Sequence, residues 1–128
     1  MLRPVQTVRL FLVVEAAAFV TAASVHFGLL LHGHEHLKAG TAESVIGGAL
    51  LLSLVLTAFR PASTRAVGLA AQGFALLGTL VGISTIAIGV GPRTAADITF
   101  HLAIVIVLVF GVIVAVRVKN RAAVDETP

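Results

Sequence analysis

The sequence predicts an all-α integral membrane protein: a four-helix bundle, up-down-up-down, with both termini in the cytoplasm. Of its 128 residues 58% are hydrophobic and only 12% are charged, whereas soluble domains average about 25% charged residues. Four apolar runs each approach the roughly 20 residues that a bilayer core demands. We therefore predict one domain, residues 1–128, with spans at about 8–31, 43–59, 66–90 and 95–116.

The basic residues orient these spans. All but two of the nine Lys and Arg residues fall on one side of the predicted bundle, and only Lys38 and Arg93 fall on the other. The majority side carries Arg3, Arg9, Arg60, Arg65, Arg117, Lys119 and Arg121. Because cytoplasmic ends are enriched in basic residues, this side is predicted to be cytoplasmic, in a multi-pass protein of the cell (inner) membrane. The basic residues mark helix ends and form no stripe, so the predicted partner is the lipid bilayer and not nucleic acid.

The elements follow in order. A short basic lead precedes the Ala-rich first span, which carries Glu15 near its middle. A basic start before an apolar run is also typical of a signal peptide, but the length of the run and Glu15 favour a span. Residues 31–42 form a histidine-rich loop, and the second span begins at about Glu43. Pro61 separates the second and third spans, since proline breaks a helix, and Pro92 separates the third from the fourth.

Small residues recur on one face of the third span at intervals of three and four. They are Gly68, Ala71, Ala75, Gly78 and Gly82. Helices in lipid associate where small residues let their backbones approach closely. This stripe predicts packing inside the bundle; the alternatives are a homo-oligomer contact, or the contact of an accessory subunit with a larger membrane complex.

Two polar residues lie within the spans. Glu15 is about seven residues, or roughly 10 Å, from the cytoplasmic start of its span, and Gln72 has a similar depth in the third span. Ionisable groups at such depth are costly unless they are paired. We predict a Glu15–Gln72 hydrogen bond, with a proton-carrying or substrate-binding carboxylate as the alternative. His26 lies eleven residues after Glu15, at nearly the same helix angle, which would allow a polar track between them.

The main candidate site lies at the predicted outer end. His26, Glu43, Asp97 and His101 come from three spans, and the four-residue spacing of Asp97 and His101 places both on one helix face. Two imidazoles and two carboxylates suit a divalent transition metal. The simpler alternative is structural, with Asp97 capping its helix and the histidines acting as hydrogen-bonding anchors.

Two further cofactor hypotheses use histidines. His26 and His101 would be axial ligands of a b-type haem, with Arg93 meeting a propionate. The loop histidines His32, His34 and His36 form an alternating pattern, and short His-rich tracts commonly capture metal. A solvated interfacial loop is the alternative.

The missing motifs limit the chemistry. The chain has no Cys and a single Met, at position 1, which excludes thiolate sites. Since it lacks the local signatures of serine hydrolases, zinc proteases and phosphate-binding loops, we predict no catalytic residue. The leading hypothesis is an outward-facing His/carboxylate vestibule for a metal ion or metal cofactor. The alternatives are an accessory subunit without chemistry, transport of a small solute or metal by an oligomer, and a small redox or lipid-modifying enzyme.

Overall fold

The computed structural model describes residues 2–119, and four long helices contain most of them. These are α1 (Pro4–His26), α2 (Leu37–Phe59), α3 (Thr64–Ala87) and α4 (Ala95–Arg117), with a short 3₁₀ turn at Pro61–Ser63. Within the described range these four helices are long and apolar enough to cross a membrane. The all-helical prediction is confirmed, and the four candidate spans indicate a multi-pass membrane protein. Arg121 and the tail that follows it lie outside the described residues.

The first loop lies earlier in the chain than predicted. α1 ends at His26, five residues before the predicted end at residue 31, because Gly28 adopts a positive φ of 72°. Glycine takes this left-handed conformation without steric cost and commonly ends helices in this way. α2 begins at Leu37, six residues before the predicted start, because His36 caps it: the His36 Nδ1 accepts the N–H of Ala39 at 3.2 Å. The loop therefore covers residues 27–36.

The ends of the other spans have similar local causes. α3 ends at Ala87, before the predicted end at residue 90, and Gly89 has a φ of 82°. α4 begins at Ala95, as predicted, because Thr94 and Asp97 form a reciprocal capping box at its start. Local glycine and cap chemistry, more than hydropathy, sets each boundary.

Contacts at the two ends of the bundle show which helix termini lie together. The guanidinium group of Arg9, near the start of α1, donates to the carbonyl of Thr57 near the end of α2. A Cβ on Gly68, near the start of α3, would lie 2.9 Å from Val8 and 3.7 Å from Ala115 near the end of α4. We call this the arginine end. At the histidine end, His26 closes α1 beside the early turns of α2 and α4.

The small residues of α3 face the inside of the bundle. A Cβ on Gly78 would lie 2.7 Å from Ile46 of α2, and Ala75 is fully buried. Close backbone approach at such residues is how helices associate without a hydrophobic driving force. The stripe is therefore used within the chain, as the packing prediction requires. Large apolar side chains cover the outer surface, for example Leu77 at 67% exposure and Ile106 at 58%, as a lipid-facing surface requires.

Candidate functional site at the histidine end

His26 joins three helices at the histidine end. It is the last residue of α1 and only 5% exposed. Its Nδ1 lies 2.6 Å from Oε2 of Glu43 on α2, and its Nε2 lies 3.0 Å from Oδ1 of Asp97 on α4. Three of the four residues predicted to form a metal site are thus in direct contact. Each ring nitrogen faces a carboxylate oxygen, an arrangement that suits an imidazolium donating to both.

Asp97 has two structural roles. Its Oδ2 accepts the backbone N–H of Thr94 at 3.0 Å and the Thr94 hydroxyl, while its Oδ1 faces His26. The hypothesis that Asp97 caps its helix is therefore confirmed, and the same carboxylate also binds the histidine. The contribution of Thr94 was not predicted, although a Thr three residues before an Asp at a helix start is the sequence signal for it.

Glu43 uses only one of its carboxylate oxygens. The residue is 5% exposed, and within residues 2–119 its Oε1 is buried without a hydrogen-bond partner. Buried carboxylate oxygens are nearly always paired, since an unpaired one loses its water without compensation. Glu43 also lines a cavity at the histidine end. Glu43 thus combines a buried, unpaired acceptor with a position in the cavity wall.

His101 lines the same cavity from α4. Its Nδ1 lies 2.7 Å from the backbone carbonyl oxygen of Asp97, which can only accept, so Nδ1 carries the proton that is donated. In the neutral ring Nε2 is then the acceptor. A Cβ on Gly82 of α3 would lie 2.8 Å from that Nε2. Gly82 therefore gives the imidazole its room, a role that the sequence stripe alone did not reveal.

The cavity lies between α2 and α3 and has a volume of about 190 Å³. Its walls are mainly apolar, with Phe19, Ile46 and Ile86 among them. Glu43 and Thr79 are buried polar residues of its wall, His101 is half-buried, and His36 and Lys38 also line it. We call this space, with Glu43 and His101, the vestibule.

Within residues 2–119, no group of three or more His, Asp or Glu side chains is arranged to hold one metal ion. His26 is bonded at both nitrogens, whereas His101 is bonded at Nδ1 and its Nε2 lies beside Gly82. Metal binding by His26, Glu43, Asp97 and His101 remains a prediction.

The loop histidines differ in their surroundings. The His32 side chain is 94% exposed, and its Nδ1 is 3.6 Å from Oε1 of Glu35. His34 is half-buried, whereas His36 caps α2 and its ring centroid lies 6.3 Å from that of His26. Glu35 organises the loop, because its Oε2 accepts the Gly33 N–H at 2.8 Å. Bonds from the backbone N–H groups of Glu35 itself and of Gly33 hold the pKa of Glu35 below its ordinary value.

Arg93, the predicted partner of a haem propionate, is exposed in the loop between α3 and α4. Its Nη1 lies 3.4 Å from the position of a Cβ on Gly89, and Arg93 is not among the residues that line the vestibule. The structure thus brings His26 and His101 to one end of the bundle but does not bring Arg93 into the vestibule.

The predicted polar pair at the centre of the bundle is confirmed. The side-chain amide of Gln72 donates to Glu15, with Nε2 at 3.1 and 3.2 Å from the two carboxylate oxygens. A polar track from this pair to His26 is not formed by the described side chains. The buried ring of Phe19, one helical turn after Glu15, packs edge-to-face on Phe100 at 5.8 Å, between the pair and the histidine end.

No known family matches this chain. Comparisons with protein-family models, curated proteins and solved structures give no match.

Proposed function

We propose that the chain is an up-down-up-down four-span protein of the cell membrane, with both termini in the cytoplasm and the histidine end facing outward. The support is the charge distribution and the helix-end contacts together. The arginine end carries six basic residues of the described range: Arg3, Arg9, Arg60, Arg65, Arg117 and Lys119. Basic residues at helix ends favour the cytoplasmic side.

We propose that the vestibule binds a small solute that brings a positive charge or hydrogen-bond donors. One observation carries this proposal: Glu43 lines the cavity, and its Oε1 is buried without a partner within the described residues. An unpaired buried acceptor is costly, and a ligand that donates to it removes that cost. His101 also lines the cavity, and its Nε2 supplies a second acceptor. Two acceptors select for a ligand that carries hydrogen-bond donors.

The volume of the cavity and the side chains that line it restrict the kind of ligand further. A cavity of about 150 Å³ in another protein holds benzene, so a space of about 190 Å³ accommodates a solute slightly larger than a single ring. Apolar side chains such as Phe19 and Ile86 favour a hydrocarbon body. A small amine with one ring or a short chain fits both properties.

Binding of benzylamine to the detergent-purified protein tests the proposal. Benzylamine is expected to bind saturably. Toluene, which lacks the donor, and benzoate, which carries the wrong charge, are expected not to bind. Ala42→Phe fills the cavity rim and is expected to abolish binding, because Ala42 lines the cavity. Ala58→Phe is the matched control, since Ala58 is exposed on the same helix away from the cavity. Equal binding by the native and Ala42→Phe proteins, or none by the native protein, would refute the proposal.

A divalent metal ion is the second candidate ligand. His26 holds Glu43 through Oε2, and the carbonyl of Asp97 holds the Nδ1–H of His101. Metal-ligating carboxylates and histidines receive the same kind of support from outer groups. Glu43 Oε1 and His101 Nε2 would then bind the ion, with water completing its shell. Two protein ligands favour weak, exchangeable binding.

Calorimetric titration with Zn²⁺ tests the metal candidate. His101→Ala and Glu43→Gln are each expected to remove binding, whereas the double variant His32→Ala/His34→Ala retains it. The reverse pattern would assign the metal to the histidine-rich loop. A native protein that binds neither Zn²⁺ nor Mn²⁺ would exclude this second candidate. That result would not affect the amine proposal.

A further inference from the structure

A second buried polar site lies in the middle of the bundle, away from the vestibule. Glu15 belongs to the central turns of α1 and Gln72 to α3, and both side chains are fully buried. Gln72 Nε2 lies 3.1 Å from one carboxylate oxygen of Glu15 and 3.2 Å from the other. The proposed vestibule function uses neither residue.

The surroundings of Glu15 contain no compensating charge. Within residues 2–119 it makes no ion pair, and its hydrogen bonds go to the neutral amide of Gln72. Leu12 and Phe19, one helical turn to either side on α1, are buried and apolar. From α4 the pair faces bare backbone at Gly111, where a Cβ would lie 2.5 Å from Glu15 Oε1. An ionised carboxylate in such a position would lack both water and a cation.

The pair of Glu15 and Gln72 lacks one hydrogen-bond donor. Glu15 and Gln72 together present three acceptor oxygens, and Gln72 Oε1 is buried with no partner in the described structure. A carboxylic acid supplies the missing O–H donor. After a rotation of the amide plane, Gln72 Oε1 accepts this O–H while Nε2–H still donates to the carbonyl oxygen of the acid. One added proton thus satisfies the orphan acceptor.

We propose that Glu15 and Gln72 form a proton-binding site within the membrane, in which Glu15 is a neutral carboxylic acid hydrogen-bonded to the Gln72 amide. Gly111 makes the site sterically feasible, because its bare backbone leaves the space that the two side chains fill. Loss of the proton requires water or a cation to reach Glu15, and therefore requires α1 to separate from α3 or α4. The site is independent of the vestibule, since Phe19 packs between them.

Infrared difference spectroscopy of the full-length protein at neutral pH tests the proposal. The native protein is expected to show a carbonyl stretching band of a protonated carboxylic acid that Glu15→Gln removes. Glu35→Gln is the matched control: Glu35 is an exposed loop carboxylate, and its removal leaves the band unchanged. Gln72→Leu retains the acid but removes its partner, so the band moves to the position of a free acid. This second variant keeps the test decisive if Glu15→Gln does not fold.

Three results would overturn the proposal. Identical carbonyl spectra of the native and Glu15→Gln proteins would show that Glu15 is ionised. A native protein without any carboxylic acid band would show the same. A band that Gln72→Leu leaves in place would show that the proton is held without the amide. None of these results bears on amine binding in the vestibule, so the two proposals fail separately.

Discussion

Glu43 lines the cavity and lies 2.6 Å from Nδ1 of His26 through its Oε2, while its Oε1 is buried with no partner among residues 2–119. One oxygen therefore fixes the helix packing and the other is left for a ligand. The bond to His26 holds the carboxylate in place before any ligand arrives, which lowers the ordering cost of binding. Structural and binding roles coexist in this residue because a carboxylate has two oxygens.

Replacing His26 is expected to destabilise the bundle strongly. His26→Ala leaves Glu43 and Asp97, which are 5% and 8% exposed, as buried carboxylates without their shared partner. Breaking a buried ion pair by removing one member costs about 3–5 kcal/mol. Unfolding of the purified protein in mixed micelles measures the loss. His32→Ala is the control, because that side chain is 94% exposed. Equal stability of the two variants would show that the His26 contacts contribute little.

The spans and the central pair follow from the sequence because their causes are local or pairwise. Hydropathy sets the number of helices, and equal depth in two spans was enough to pair Glu15 with Gln72. The ends of the loop were placed incorrectly because hydropathy continues through Leu29, Leu30 and Leu31 after the helix has ended. The positive φ of Gly28 ends α1 there. A glycine inside an apolar run does not by itself indicate a helix end.

The vestibule could be predicted only in part. Matching depths brought His26, Glu43 and Asp97 together correctly, because all three lie near helix ends at the same end of the bundle. Which atoms bond depends on helix rotation and side-chain geometry, which spacing does not fix. The sequence therefore suggested four equivalent ligands, whereas the structure separates a bonded histidine from one that faces a cavity. Gly82 leaves space for the imidazole of His101, a residue of another helix. Spacing along one helix does not predict such a contact between helices.

Gly82→Ala is expected to weaken ligand binding without unfolding the protein. The new Cβ would lie 2.8 Å from His101 Nε2, so the imidazole must turn away from the cavity. Loss of one hydrogen bond to the ligand corresponds to about a tenfold weaker affinity, or roughly 1.4 kcal/mol. Titration with benzylamine measures this change. Gly48→Ala is the matched control, since no atom lies within 4 Å of a Cβ there. Unchanged affinity of Gly82→Ala would remove His101 from the site.

The histidine-rich loop is expected to loosen at acid pH through Glu35. Its pKa is below the ordinary 4.5 in the folded loop, first because backbone N–H groups donate to the carboxylate. A group with a lowered folded pKa stabilises above its unfolded pKa, and that contribution is lost as the pH falls through the folded pKa. The protection of the Gly33 amide, taken relative to an unstructured amide at the same pH, should therefore fall as the pH drops below about 4.5, the unfolded value. Glu35→Gln should make the exchange insensitive to this titration; a native amide that stays equally protected in acid would contradict the assignment.

Two glycines that look alike in sequence should respond oppositely to alanine. At Gly111 a Cβ would lie 2.5 Å from Glu15 Oε1, so Gly111→Ala must displace the Glu15–Gln72 pair or move α4. Overpacking of this kind costs about 1–3 kcal/mol. At Gly73 no atom lies within 4 Å of an added Cβ, and alanine favours the helix by about 1 kcal/mol. The free energy of unfolding, measured in mixed micelles, should be higher for Gly73→Ala than for the native protein and lower for Gly111→Ala. A Gly111→Ala protein as stable as the native one would mean that α4 does not press on the buried pair.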